Sequence, residues 1–144
     1  MAKKLLVTEV LELVAKADSR KDKIAMLREH NSLELRDILK GAFDDTIEFI
    51  LPQGVPPIDE SEKRLYDKTR LMSETKKFRY FVKGGPGEQV NRVRREKMYI
   101  DILYRIDSRE IPLVCHMKDK TLDGVYKGVT KKLVQEAFPG LIQK

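Results

Sequence analysis

Eight residues near the middle of the chain, Leu51–Ile58 (LPQGVPPI), hold three prolines and a glycine. Each proline lacks a backbone N–H and disfavours helical geometry in the residue before it, so no helix runs through this stretch. It separates residues 1–50 from residues 59–144. Both flanks carry the three- and four-residue spacing of helices rather than the alternation of strands. At 144 residues, the length is that of about one domain.

In the first flank, Leu5, Leu6, Val10, Leu13, Val14 and Ala17 mark one face of a helix over Lys4–Ala17. Ser19, with Asp22 three residues on, carries a start signal for a second helix that fades at His30-Asn31. Asn31 or Ser32 caps a third, whose apolar positions are Leu35, Ile38, Leu39, Ala42, Phe43, Ile47 and Ile50. Gly41 within it costs about 1 kcal/mol relative to Ala, which suits either a close helix contact or a kink. The connector 51–58 is expected to lie against the body, because Val55 and Ile58 are apolar.

In the second flank a weak helical pattern begins at Glu60 and passes Tyr66. Phe78–Val82 has strand composition but no evident partner, and a lone strand is unstable, so it reads as helical. Gly84, Gly85 and Gly87 with Pro86 break the chain. Val90–Arg105 is amphipathic, with Val90, Val93, Met98, Ile102, Leu103 and Ile106 on one face. Asp107-Ser108 caps a further short helix, and Thr130 caps a last one that Pro139-Gly140 stops. The expected fold is all-α, with six or seven short helices. It comprises a three-helix unit (1–50), the connector (51–58) and a basic helical unit (59–144), packed as one domain or as two halves.

Composition adds exclusions. One cysteine cannot form an internal disulfide. Apolar runs fall short of the ~18 residues of a membrane span, and Glu9 and Glu12 interrupt any signal-like apolar run after Lys3 and Lys4. No membrane association is expected. The net charge of +6 is uneven. Residues 1–58 hold nine basic and ten acidic side chains, whereas residues 63–105 hold thirteen basic and five acidic. Such a local excess bears on anionic partners rather than on fold.

The basic stretch interleaves with aromatics: Lys76, Lys77, Arg79 and Lys83 with Phe78, Tyr80 and Phe81, then Arg92, Arg94, Arg95 and Lys97 before Tyr99 and Tyr104. Cations neutralise phosphates and aromatics stack on unpaired bases, so these eight cations are the candidate nucleic-acid contacts. The aromatics equally suit a core. The glycine-rich segment Lys83–Glu88 is no P-loop, since it lacks the Gly-Lys-Ser/Thr ending. Asp44, Asp45 and Glu48 form an acidic patch, which suits salt bridging more than metal binding. Cys115 and His116 are adjacent and diverge on a helix, and only His30 remains as a base. No triad, metal cluster or nucleotide fingerprint is visible, so no enzymatic activity, cofactor or metal is expected.

The phrases Leu35–Asp45, Leu51–Pro57, Lys77–Gly84, Arg95–Met98 and Lys127–Pro139, taken in order, resemble a family of small uncharacterised proteins of large T4-type tailed phages. The resemblance spans nearly the whole chain. It implies a phage origin and a place in the bacterial host cytoplasm, and it carries over no site residues. The function expected is a non-enzymatic phage accessory protein that binds nucleic acid or a nucleoprotein complex. The alternative is a protein-binding module, for a host protein or within the virion, using Val55–Ile58 and the patch around Asp44. Self-association into a symmetric oligomer fits either reading.

Overall fold

The computed structural model describes residues 5–142, so Lys3 and Lys4 lie outside it. Eight α-helices follow one another: α1 (Val7–Lys16), α2 (Arg20–Glu29), α3 (Leu33–Phe43), α4 (Glu60–Lys63), α5 (Leu71–Thr75), α6 (Arg92–Arg105), α7 (Ile111–Lys118) and α8 (Lys131–Ala137). Single 3₁₀ turns lie at Phe78–Phe81, Pro86–Gln89, Ser108–Glu110 and Leu122–Gly124. The fold is all-α, with one more helix than the larger of the expected counts.

The helix starts follow local chemistry. Ser19, Ser32 and Thr130 accept hydrogen bonds from the N–H groups of Asp22, Leu35 and Leu133 at 3.1–3.2 Å. Asp59 and Asn91 open α4 and α6 in the same way. Each such cap contributes about 1 kcal/mol.

Burial then orders the helices. Helix α1 buries Val7, Val10, Leu11 and Val14, α3 buries Leu35, Ile38 and Leu39, and α8 buries Leu133 and Val134. Each buried side chain of this size stabilises the fold by about 1.5–3 kcal/mol. Helix α2 lies between α1 and α8, while α3 packs on α7 and α5. One continuous apolar cluster draws on residues from Val7 to Ile142, from both sides of the proline connector. Gly41 serves the α3–α7 contact. A Cβ there would stand 2.8 Å from Met117 Sδ and 3.3 Å from Phe49 Cζ.

Three expectations are corrected. Helix α3 stops at Phe43 instead of carrying Ile47 and Ile50. Asp44 leaves helical geometry, and its carboxylate accepts from Thr46 N at 2.9 Å and Thr46 Oγ1 at 2.6 Å. The freed segment supplies the partner that Phe78–Val82 lacked. Phe78–Phe81 is a 3₁₀ turn, but Val82 forms an isolated antiparallel bridge with Phe49. Ile50 N donates to Phe81 O and Lys83 N to Glu48 O.

The expected helix from Glu60 onward is two short ones. Between them Thr69 N donates to Arg105 O, away from any helical partner. In the last correction, Val93 is 75% exposed and does not belong to the buried face of α6. That face carries Tyr99, Ile102 and Leu103 and continues to Ile106, so Arg95 rather than Val93 falls in its row at spacing four.

The connector lies on the body through polar contacts. Lys118 Nζ donates to Pro52 O and Gly54 O, and Asp119 Oδ2 accepts from Gly54 N at 2.8 Å. Leu51 and Ile58 pack against the core, whereas Val55 is exposed.

Candidate nucleic-acid interface

The basic residues divide into two sets according to what their nitrogens meet. The first set donates to backbone carbonyls, largely at helix C-termini. Helix ends leave carbonyls without intrahelical partners and carry partial negative charge, which cations offset. Lys23 Nζ reaches Val14, Ala15 and Ala17 O at the end of α1. Arg28 reaches Glu136 and Ala137 O at the end of α8. Lys63, buried, reaches Leu103, Tyr104 and Ile106 O at the end of α6. Lys120 reaches Gly41 and Asp44 O at the end of α3.

Lys120 makes this contact from φ +62°, a left-handed backbone uncommon outside glycine. Burial pushes its ammonium pKa below the ordinary lysine value, against the opposing pull of Asp44 and Asp45.

Arg95 belongs with this first set. It donates to Ile50, Gly87 and Val90 O at 3.1–3.3 Å and is half-buried. Of the eight expected nucleic-acid contacts it is therefore the one whose donors are spent on backbone carbonyls. It pins the start of α6 to the glycine turn and to Ile50, next to the bridging Phe49. Its position four residues before Tyr99 was the available sequence signal.

The other seven stand outward to different degrees. Lys77 ion-pairs with buried Glu74 at 2.8 Å. Lys83 meets Glu48 at 3.7 Å, Arg92 meets Glu96 at 2.9 Å and Lys97 meets Asp101 at 3.3 Å. The last three pairs reach solvent and contribute about 0–1 kcal/mol, so a phosphate competes with them readily, whereas Lys77 neutralises a buried carboxylate. Lys76 and Arg94 are exposed and have no hydrogen bond or ion pair among the described residues. Arg79 has no carboxylate partner there. Its guanidinium lies 5.2 Å from the Tyr80 ring centroid and donates to Tyr80 Oη at 3.3 Å.

The two cationic segments belong to elements that touch. The Phe78–Phe81 turn packs on the Pro86–Gln89 turn and on α6. The glycines allow the approach, because a Cβ on Gly87 would collide with Tyr80 O. The glycine segment is thus a packed corner, not an open phosphate cradle. Its Gly85 and Glu88 N–H groups, and that of Val90, are spent on turn carbonyls.

The aromatics are mostly core. Phe78, Phe81, Tyr99 and Tyr104 are buried, with Phe81 edge-on to Tyr99 at 5.7 Å and Tyr104 stacked on Tyr66 at 4.8 Å. Tyr80 alone among the five interleaved aromatics is partly exposed.

Residues of the alternative readings are also placed. Asp44 is fully buried and meets Lys40 at 3.1 Å, so it offers no contact surface. Asp45 pairs with Lys131 at 2.6 Å. Cys115 is buried beside the Tyr99 hydroxyl, and desolvation raises its pKa, which disfavours the thiolate. His116 Nδ1 meets Thr121 Oγ1 at 2.7 Å. Among the described residues no group of His, Cys, Asp and Glu is arranged to hold a metal, and no helix is long and apolar enough to cross a membrane.

Fold and site together define a small all-α protein in which some cations clamp its own helix ends and others face outward, among them most of those in 76–97. The chain belongs to a family of unknown function, DUF6433, whose model matches residues 10–124. No curated protein and no solved structure matches it.

Proposed function

We propose that this protein is a non-enzymatic accessory protein of phage infection, acting in the bacterial cytoplasm, that binds the phosphate backbone of nucleic acid. The contacts are Lys76, Arg79, Lys83, Arg92, Arg94 and Lys97. The observation that carries the reading is that Lys76, Arg79 and Arg94 are exposed without a carboxylate partner among the described residues, and that the turn carrying Arg79 packs on α6, which carries Arg94. Arg95 is left out because its donors are used internally, and Lys77 because it neutralises buried Glu74. Burial of Phe81, Tyr99 and Tyr104 removes the stacking platform that an aromatic-led mode requires. The binding that remains is electrostatic and dominated by phosphate.

Fluorescence anisotropy of a labelled single strand, titrated across salt, tests this. With about four phosphates engaged, affinity falls by about 50-fold from ~50 to ~200 mM salt. Replacing Lys76, Arg79 and Arg94 together by Ala lowers both the affinity and the salt slope. Absence of binding at low salt, or binding indifferent to salt, refutes the reading.

A further inference from the structure

An apolar groove of about 270 Å³ lies between α3 and the turn region that carries the first cationic segment. Ile47, Phe49, Phe78 and Val82 supply its apolar walls, and Asp37, Lys40 and Arg79 its charged groups. Its volume is just below the ~300 Å³ lower end of small-molecule sites, the scale of one planar base rather than a whole nucleotide.

Two features select the occupant. Asp37 is half-buried and has no hydrogen bond or ion pair among the described residues. Lys40, one turn further along α3, donates instead to Asp44 and to the Leu141 carbonyl. The groove therefore presents a carboxylate whose acceptor capacity is unused. In addition, three wall residues are chain neighbours of phosphate-contact candidates: Thr75 precedes Lys76, Phe78 precedes Arg79 and Val82 precedes Lys83. Three of the cations assigned to phosphate therefore follow groove-wall residues directly in the chain.

We propose that the groove is a subsite for one unpaired guanine of the bound strand; this rests on the phosphate-backbone reading above. An ionised carboxylate only accepts, and it binds most strongly to two parallel donors. Guanine presents them as the adjacent N1–H and N2 amino group of its Watson–Crick edge. Adenine and cytosine set one donor beside an acceptor on that edge, and uracil and thymine set one N–H between two carbonyls. Asp37 accepts from the guanine edge, Phe49, Phe78 and Val82 enclose the ring, and Arg79 holds the adjoining phosphate. Reading an unpaired base by its Watson–Crick edge is an established mode of single-strand recognition.

The test compares an oligothymidine strand with the same strand carrying one central guanine, both by anisotropy at fixed low salt. The guanine strand is expected to bind about five- to hundredfold tighter, the discrimination of one bidentate contact. Asp37→Asn, which replaces one acceptor by a donor, abolishes that ratio while leaving the thermal midpoint unchanged. Inosine, which lacks the N2 amino group, reduces the ratio in the native protein. Equal binding of the two strands, or a ratio that survives Asp37→Asn, overturns the guanine subsite and leaves backbone binding standing. Absence of binding by either strand overturns the backbone reading and the subsite with it.

Discussion

Glu110 couples stability to pH through one side chain. It ends the Ser108–Glu110 turn and is 3% exposed. Burial, reinforced by the nearby charges of Asp107 and Glu34, pushes its pKa from the ordinary 4.5 up to about 7, while a hydrogen bond from the Val7 backbone and the charge of Arg109 oppose the shift. The native state therefore holds a proton that the unfolded chain releases. Between about pH 4.5 and pH 7 the native state binds more protons, so its stability falls as pH rises through that window. The shift corresponds to about 3 kcal/mol lost by about pH 8.

Glu110→Gln keeps the size of the side chain and an oxygen to accept from Val7, and it removes the charge. The variant is expected to match the native protein near pH 4.5 and to exceed it by about 3 kcal/mol near pH 8. Unfolding entropy near 2.1 cal/mol/K per residue over 144 residues converts this to a Tm higher by about 10 °C. Urea unfolding followed by circular dichroism across that pH range measures it. A constant offset between the two proteins at every pH would refute the argument, because it would mean that Glu110 does not titrate differently on folding.

Three further outcomes separate structural from outward cations and test the packed corner. Lys63→Met leaves the Leu103, Tyr104 and Ile106 carbonyls without their ammonium donor; a loss of about 2–3 kcal/mol is expected in urea unfolding, and an unchanged midpoint would count against the clamp. Arg95→Ala is expected to lower Tm, whereas Arg94→Ala, a neighbour of the same type, leaves Tm within about 2 °C and weakens strand binding. The reverse pattern would invert the assignment of the two residues. Gly87→Ala places a Cβ against the Tyr80 backbone; a destabilisation of about 3 kcal/mol or failure to fold is expected, and a native-like Tm would disprove the close approach.

Much of the fold was legible locally. Ser19, Ser32 and Thr130 announce helix starts because an N-cap needs only the few residues that follow it. The largest failure, the overrun of α3, came mainly from competition with distant partners. The end of α3 depends on Asp44 and on Lys120, which donates to Gly41 O from 79 residues away. Extending that helix to Ile50 hid the bridge to Val82, and hence the partner of Phe78–Val82.

By itself, the sequence determined the class. Helical spacing on both sides of an impassable proline stretch leaves an all-α chain, and a single cysteine leaves its core to carry stability. It also located the positive charge in the middle segment. Only the tertiary structure decided what that charge does. Lys63 meets carbonyls some 41 residues away in sequence, Arg95 turns inward to Ile50, and Arg94 faces outward although it is adjacent to Arg95. Composition counts all three alike. Their difference lies in which backbone carbonyls folding brings within about 3 Å, a property of packing that no local pattern encodes.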